Sequence, residues 1–216
     1  MFILNSNDSI ANQFLADIRD IDIQKDRLTF RKNLERLGEI MAYEISKTMI
    51  YQSVEIETPL KKTKAKRLSN SPVLISVLKA ALPFYQGFIN YFDAADSGFV
   101  GAYRKEENPD EKEIEVDFLY QAAPNIEGKE VILIDPMLAT GKSFVKTVQN
   151  LLANGRPKLI HIACVIASPE GVSYIQNNLD VPYKLWLGAL DESLNEKFYI
   201  VPGLGDAGDL SFGDKL

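Results

Sequence analysis

The chain has few of the side chains that build disulfides, metal centres or acid–base catalysts. It contains one cysteine, Cys164, and one histidine, His161, both within the apolar run 159–167. One cysteine excludes an intramolecular disulfide, and this pair alone does not favour a structural zinc site. We therefore expect a reducing, cytoplasmic environment. We interpret His161 as a core histidine with satisfied hydrogen bonds rather than as a catalytic group.

Long apolar runs and surplus positive charge are also missing. No run approaches the roughly 20 apolar residues needed to cross a bilayer, and the N-terminus turns polar after Leu4. We therefore expect no membrane partner and no secretory leader. Acidic residues outnumber basic ones by 30 to 24, for a formal net charge of −6. This balance disfavours nucleic acid as a partner and favours a small-molecule ligand.

The remaining composition is that of an ordinary globular protein. The 216 residues include 46% hydrophobic and 25% charged side chains, which suits one α/β domain spanning residues 1–216. Strands alternate with helices from Val73 onward, which predicts a doubly wound, mainly parallel sheet. Helices are predicted at 7–20, 26–49, around 84–89, from 143 to about 154, and from 169 to about 178. Strands are predicted at 51–60, 73–78, 99–104, 114–120, 131–134, 159–167 and 184–187.

The helix predicted at 26–49 carries one apolar stripe, formed by Phe30, Leu34, Leu37, Met41 and Ile45. This stripe indicates either core packing or a subunit contact. Because two such helices precede the α/β alternation, we expect a homodimer or a higher homo-oligomer.

Two polar stretches are interpreted as solvated loops. The first is a basic cluster at 61–67, to which we assign no function. Its members are Lys61, Lys62, Lys64, Lys66 and Arg67. The second stretch, 105–113, joins two predicted strands as the tip of a hairpin. A long polar loop beside an active site often serves as a lid, which would swing Arg104, at its base, onto an anionic substrate.

A strand, a tight turn and a helix follow one another at 131–143. The apolar run 131–134 is typical of a buried parallel strand, and Asp135 stands at its carboxyl end, where open α/β sheets bind ligands. In the turn 139–143, successive backbone N–H groups meet a helix N-terminus, an arrangement that favours a phosphate group. We call residues 135–143 the phosphate turn. The alternative is an ordinary βα turn without a ligand.

The ending Gly141-Lys142-Ser143 looks like that of a Walker A loop. That motif needs a glycine at the position of Pro136, and proline supplies neither an amide nor a positive φ. The sequence therefore disfavours a P-loop kinase.

Two further segments suggest ligand contacts. The strand 73–78 passes into Lys79, Ala80 and Ala81, where small residues and one charge suit an anion. Residues 199–209, which we call the C-terminal loop, hold three glycines and two acids. Its apolar members argue against a flexible tail, so we expect an ordered loop that offers backbone groups to a planar polar ligand.

The phosphate turn, Asp135-Pro-Met-Leu-Ala-Thr-Gly-Lys-Ser143, resembles the phosphoribosyl pyrophosphate loop of uracil phosphoribosyltransferases, and the C-terminal loop is similar to their uracil-binding loop. Weaker matches extend over nearly the whole chain. The resemblance implies a type I phosphoribosyltransferase fold with an N-terminal helical extension, a hairpin lid and a C-terminal hood over the base. It also implies pyrimidine salvage, in which uracil and phosphoribosyl pyrophosphate give UMP and pyrophosphate with magnesium. A GTP effector is a further expectation of this kind.

The resemblance also implies roles for individual residues. Asp206, Arg104 and Lys79 would be catalytic, and magnesium would be held through the pyrophosphate rather than by protein side chains. The backbone around Ile200, Gly205, Asp206 and Ala207 would read uracil. The donor would be bound by Lys79, Ala80, Arg104, Asp135, Pro136, Met137, Leu138, Ala139, Thr140, Gly141, Lys142, Ser143 and Asp206.

Several positions depart from the family pattern, and most of them fall on the donor site. Lys79 and Ala81 replace the first and last residues of an expected Arg-Ala-Gly, and Pro83 and Lys142 stand where glycine is usual. Leu210 occupies a position that is usually basic. Lysine lacks the bidentate fork of arginine, and residue 142 brings a Cβ into the turn. These departures motivate the alternative of a catalytically weakened homologue that senses phosphoribosyl pyrophosphate or a nucleotide.

Overall fold

The computed structural model describes residues 1–104 and 116–214, with side chains described for 1–101 and 120–214. The helices are α1 (Ile10–Arg19), α2 (Arg27–Ser46), α3 (Leu82–Ile89), α4 (Lys142–Leu151), α5 (Pro169–Asn178) and α6 (Ala207–Phe212). The strands are β1 (Phe2–Ile3), β2 (Tyr51–Glu57), β3 (Lys62–Leu68), β4 (Val73–Leu78), β5 (Ser97–Arg104), β6 (Val116–Ala122), β7 (Glu130–Ile134), β8 (Met137–Leu138), β9 (Leu159–Ala167), β10 (Tyr183–Leu190), β11 (Ser193–Leu194) and β12 (Ile200–Val201).

The central sheet runs in the order β1-β10-β9-β7-β4-β5-β6, and the short strand β8 pairs with the end of β9. All these pairings are parallel except that of β5 with β6, which is antiparallel. This confirms the predicted mainly parallel α/β sheet. Because the strands are parallel, the carboxyl ends of β4, β5, β7 and β9 lie along one edge.

The sheet is covered on both faces, as a doubly wound fold requires. On β7, Ile132 and Ile134 pack in the cluster that contains the buried side chains of α1, α2 and α3. The alternate residues Val131 and Leu133 pack with those of α4 and α5 on the other face. Successive side chains of a buried strand therefore pack in two separate cores, one on each face of the sheet.

The apolar stripe of α2 lies in the core. Its members Phe30, Leu34, Leu37, Met41 and Ile45 are all buried within this one chain, so of the two interpretations core packing is correct. Helix α2 crosses α3 closely: a Cβ on Gly38 would lie 2.2 Å from the Phe84 carbonyl oxygen, and one on Gly87 would lie 2.2 Å from that of Glu35. Two facing glycines therefore set the distance between these helices.

The interpretation of the basic cluster 61–67 as a loop is wrong. Residues Lys62–Leu68 form β3, which pairs antiparallel with β2 in a separate two-stranded sheet. The strands are joined by a turn in which the Thr58 hydroxyl donates to the Lys61 carbonyl and accepts from the Leu60 and Lys61 amides. On β3, Lys62 and Lys64 stand opposite Glu57 and Glu55 of β2. Charge pairing across strands therefore supports a strand without apolar periodicity.

The other predicted elements are present with small shifts of their ends. Ser9 and Asp26 cap α1 and α2, and α2 ends at Ser46 rather than near 49. The antiparallel pairing of β5 with β6 confirms the hairpin. Its polar tip 105–113, interpreted as a lid, lies outside the described residues, as does the side chain of Arg104. The described helices include none long and apolar enough to span a bilayer.

His161 is the buried, hydrogen-bonded histidine that the sequence predicted. The Trp186 indole Nε1 donates to His161 Nδ1 at 3.0 Å, and His161 Nε2 lies 3.3 Å from Glu130 Oε2. Nδ1 therefore accepts, and Nε2–H donates to the carboxylate. Burial lowers the pKa of His161, although the Glu130 carboxylate acts in the opposite direction. Burial likewise raises the pKa of the Cys164 thiol, so this thiol stays protonated at neutral pH.

Candidate active site

The donor-site residues proposed from the sequence follow neighbouring parallel strands. Lys79 comes directly after β4 and Asp135 directly after β7, and the two strands pair with Ser76 beside Ile134. Arg104 ends β5, the other neighbour of β4. The backbone at these three positions therefore lies at one edge of the sheet.

The phosphate turn leads from β7 into α4. The Asp135 carboxylate accepts the Met137 amide at 3.2 Å, and Met137 and Leu138 then pair with the end of β9. Gly141, at φ +76°, occupies the N-cap of α4. The free N–H groups and the positive dipole end of this helix point into the turn, which is the arrangement predicted for a phosphate.

Helix α5 packs tightly against the phosphate turn. A Cβ on Gly141 would lie 2.7 Å from the Gly171 carbonyl oxygen, and one on Gly171 would lie 2.3 Å from that of Ala139. The buried Ser168 hydroxyl donates to the Ala139 carbonyl at 2.6 Å and accepts the Gly171 amide at 2.9 Å. Two glycines and one serine therefore hold the turn rigidly against the start of α5.

The departures at 81, 83 and 142 are accommodated locally. Lys142 is the first residue of α4, and Phe198 is the only described non-glycine residue with a positive φ. The Cβ at 142 therefore meets no backbone strain. Ala81 is fully buried, and Pro83 lies in the first turn of α3, where proline is favoured.

The C-terminal loop is ordered, as expected, and contains regular structure at both ends. Ile200 in β12 pairs with Leu194 in β11, and the Leu194 amide donates to Glu170 at the start of α5. Gly205 has a φ of +94°, and Asp206 caps α6 by accepting the Gly208 and Asp209 amides. Backbone groups at Ile200, Gly205 and Ala207 are thus carried by fixed elements.

The C-terminal loop, the phosphate turn and the turn after β4 each contribute residues to one buried cluster, whose members include Ala81, Ala139, Ile200, Leu204 and Ala207. The predicted donor and base sites are therefore parts of one packed unit. The Lys79 Nζ donates to the Gly213 carbonyl at 3.3 Å and lies 3.8 Å from Asp209. A Cβ on Gly208 would lie 3.3 Å from Lys79 Cε and 3.8 Å from the Cβ of Ala80.

An open cavity of about 400 Å³ borders Gly205 and Asp206 on the side of Gln24, Lys25 and Arg27. None of the described residues that line it belongs to the phosphate turn. The site is therefore defined by the strand ends and the packed cluster, rather than by this cavity.

Magnesium is the metal that the family resemblance implies, and carboxylates of the C-terminal loop are ligands of a kind that suits it. Within residues 1–104 and 116–214, no three histidine, cysteine or acidic side chains group as metal ligands. Magnesium commonly keeps its waters and binds through substrate phosphates with one or two carboxylates. The carboxylates of the C-terminal loop are Asp206 and Asp209, and Asp209 lies 3.8 Å from the Lys79 Nζ.

Sequence reasoning did not find the contacts that anchor the C-terminal loop. Arg19, at the end of α1, forms a two-pronged ion pair with Asp191 at 2.6 and 2.9 Å. The same two side chains hold the backbone of Gly203. The position of Asp191 just after a buried strand was the available signal, but nothing near it in sequence points to Arg19.

Comparison with known proteins agrees with this geometry. A family model described as uracil phosphoribosyltransferase matches residues 5–214. A uracil phosphoribosyltransferase of Porphyromonas gingivalis is 46% identical over 99% of this chain and 98% of its own, and one of Thermococcus gammatolerans is 37% identical over 94% and 89%. The solved structure of the AQ2163 protein from Aquifex aeolicus superposes with a TM-score of 0.86 at 29% identity, covering 98% of both chains. The chain therefore belongs to the uracil phosphoribosyltransferase family.

Proposed function

We propose that this protein transfers the phosphoribosyl group of phosphoribosyl pyrophosphate to uracil, giving UMP and pyrophosphate. One observation carries the proposal: the phosphate turn contributes Ala139, and the C-terminal loop contributes Ile200, Leu204 and Ala207, to the same buried cluster on one face of the sheet. A ligand that spans a phosphate and a base would touch both. A nucleoside monophosphate has this shape, and phosphoribosyl pyrophosphate bound together with a free base covers the same span.

The phosphate turn is assigned to the ribose 5-phosphate end of the donor. The N-terminus of α4, with Gly141 at its cap, supplies N–H donors and a positive dipole to the phosphate. Asp135, at the strand end, is assigned to accept hydrogen bonds from the ribose hydroxyls. Residues 136–140, Lys142 and Ser143 complete the proposed phosphate site. Tight packing against α5 fixes the sugar before reaction.

Lys79 and Arg104 are assigned to the pyrophosphate. In the reaction, uracil N1 forms a bond to the ribose C1 and loses its proton to water, while the bond from C1 to the pyrophosphate oxygen breaks and its electrons leave with pyrophosphate. Cations beside the leaving group stabilise this growing negative charge. Magnesium bound with the pyrophosphate would supply part of that charge neutralisation, and we assign Asp206 to the region between the base and the pyrophosphate.

The C-terminal loop is assigned to recognition of uracil. The base presents two carbonyl acceptors and an N–H donor, and the backbone at Ile200, Gly205 and Ala207 offers matching groups. Backbone recognition requires a rigid loop, and this one is fixed by β12 at one end and α6 at the other. Cytosine would leave these groups without partners and would be rejected.

The comparisons give no support to the alternative of a non-catalytic sensor. The substitutions at 81, 83 and 142 that motivated it cause no strain in the described backbone. Lys79 keeps a cation at its position, although without the geometry of arginine.

Steady-state assay of purified protein tests the proposal directly. Uracil, phosphoribosyl pyrophosphate and magnesium should yield UMP and pyrophosphate, while cytosine, hypoxanthine and orotate should yield no nucleotide. Chelation of magnesium should abolish turnover and restoring the ion should recover it. Binding of phosphoribosyl pyrophosphate without turnover on any base would contradict the enzyme and favour the sensor.

A homodimer is a further proposal, and the β2–β3 hairpin supports it. Val54, Ile56 and Ala65 share one face of this hairpin, and none of them belongs to either core cluster of the described residues. Leu60 at its turn is 95% exposed. A lone two-stranded hairpin is marginally stable, so cover from a second subunit would explain its order. Light scattering should give twice the monomer mass. The substitution Ile56→Lys should lower the measured mass toward that of a monomer.

Two proposals rest on the family resemblance and the composition. GTP as an effector predicts that GTP changes the KM for phosphoribosyl pyrophosphate or raises kcat, and unchanged kinetics would remove it. A cytoplasmic location agrees with the lone, free and buried thiol of Cys164. Cell fractionation tests it.

A further inference from the structure

The turn at Gly203, within the C-terminal loop, is held by an ion pair between two residues that lie outside this loop. Arg19 Nη1 donates to the Gly203 carbonyl at 3.0 Å, and the Gly203 amide donates to Asp191 Oδ2 at 2.8 Å. Arg19 therefore holds the carbonyl of Gly203 and Asp191 holds its amide. The pair itself is bidentate, with Nη1 to Oδ2 at 2.9 Å and Nη2 to Oδ1 at 2.6 Å.

Both partners are themselves fixed to the body of the fold. Asp191 follows β10, its amide donates to the Ala167 carbonyl at the end of β9, and its side chain is 4% exposed. Arg19 ends α1, whose buried residues Leu15 and Ile18 pack in the core. The contacts thus connect the turn to the central sheet and to an N-terminal helix.

Gly203 transmits this restraint to the site. Its φ is +62°, and a Cβ there would lie 2.1 Å from the Ile200 carbonyl oxygen, so the turn is closed tightly. The next residue, Leu204, is buried, and Gly205 and Asp206 follow directly. A shift of Gly203 would displace the backbone assigned to uracil on both of its sides.

We infer that Arg19 and Asp191 are positioning residues of the pyrimidine site, acting through Gly203 on the backbone of 200–207. This rests on the proposed function for its substrate, but the restraint on the loop is a property of the fold. The phosphate turn has a separate set of contacts, through Ser168 and Gly171. Loss of the ion pair should therefore impair the use of uracil and spare the donor.

Asp191→Asn is the main test. Asparagine keeps the shape but loses the charge and one acceptor, so the KM for uracil should rise about tenfold or more while the KM for phosphoribosyl pyrophosphate stays within about twofold. Arg19→Lys, which keeps the charge opposite Asp191, should raise the uracil KM by a smaller factor, about threefold. Arg19→Lys also tests the inference if Asp191→Asn does not fold.

Asp17→Asn is the matched control. Asp17 lies on the same helix and accepts a hydrogen bond from buried Asn33 at 3.2 Å, so this variant perturbs α1 without touching the loop. It should leave both KM values unchanged. Equal rises of the two KM values in Asp191→Asn, or an unchanged uracil KM in Arg19→Lys, would overturn the inference.

Hydrogen exchange separates this inference from the proposed function. In Asp191→Asn, amides of 203–207 should exchange faster than in the unmodified protein, while those of 137–143 should not change. This holds whether or not the protein turns over uracil. Unchanged exchange at 203–207 would overturn the inference even in an active enzyme, whereas accelerated exchange in an inactive protein would count against the proposed function alone.

Discussion

The phosphate turn and the C-terminal loop lie in one buried cluster but are held by contacts of different kinds. The phosphate turn is fixed by neutral groups of the adjoining βα unit, such as Ser168, which lies 29 positions from Ala139. The C-terminal loop is fixed by charged groups from distant segments, with Arg19 at 184 positions from Gly203. Close packing thus supports the part assigned to the ribose phosphate, and a partly buried ion pair supports the part assigned to the base.

This difference predicts how each region responds to damage. A change of one atom in a close-packed turn displaces backbone, because packed interiors yield little. A change in an ion pair leaves a charge without its partner and loosens what the pair held. The first kind of lesion should affect donor binding, and the second should affect the base.

Gly141→Ala should produce the largest effect. Alanine would be strained at a φ of +76°, and its Cβ would lie 2.7 Å from the Gly171 carbonyl oxygen, so we expect a loss of roughly 2–4 kcal/mol in unfolding free energy. Displacement of the turn should lower kcat/KM by more than about a hundredfold. Denaturant titration and steady-state kinetics measure the two effects.

Gly128→Ala is the control for Gly141→Ala. Gly128 has a φ of +66° with no atom within 4 Å of a Cβ, so it isolates the conformational cost of about 1 kcal/mol. Equal losses of stability in the two variants would show that packing against α5 does not support the phosphate turn.

Asp206→Asn should separate turnover from folding in the C-terminal loop. Asparagine also caps helices, so the unfolding free energy should change by less than about 0.5 kcal/mol. Loss of the negative charge beside the reaction centre should lower kcat about a hundredfold. Asp26→Asn, at the cap of α2, is the control and should leave kcat unchanged. Unaltered kinetics in Asp206→Asn would remove this residue from the catalytic set.

Ser168→Ala should weaken the phosphate turn alone. It removes one hydrogen bond to the Ala139 carbonyl and one from the Gly171 amide at a fully buried position, at a cost of about 2 kcal/mol. The KM for phosphoribosyl pyrophosphate should rise about fivefold with little change for uracil. Ser9→Ala, at the exposed cap of α1, should cost less and leave both KM values unchanged. A larger effect on uracil would contradict the separation of the two regions.

Acidification should lower the free energy of unfolding of the sheet that carries both regions. We expect this effect to be the smallest of those predicted. Burial lowers the pKa of His161 below its ordinary 6.5, so the unfolded chain binds more protons once the pH falls below about 6.5. The contribution of His161 to the free energy of unfolding should therefore be fully present above that pH. It should fall by up to about 1.4 kcal/mol per pH unit below it. Fluorescence of the single Trp186, which is bonded to His161, reports unfolding. A slope that persists in His161→Gln would assign the effect to other groups.

The surroundings of the phosphate turn are easier to predict from the sequence than those of the C-terminal loop. Contacts close in sequence hold the first region, whereas contacts between distant segments hold the second. The strand 159–167 and the helix starting at Pro169 were predicted at their observed ends, because a buried run and a Ser-Pro cap are local signals. The basic strand β3 was missed, because its support comes from acids on β2 and not from its own periodicity. The pair of Arg19 with Asp191 was missed because 172 positions separate its members.

The most direct test of the account is calorimetric binding of UMP and of ribose 5-phosphate to the unmodified protein, Ser168→Ala and Asp191→Asn. UMP carries both the phosphate and the base, whereas ribose 5-phosphate lacks the base. The account predicts that Ser168→Ala weakens both ligands and that Asp191→Asn weakens UMP alone. Equal weakening of both ligands by each variant, or no binding of UMP to the unmodified protein, would contradict it.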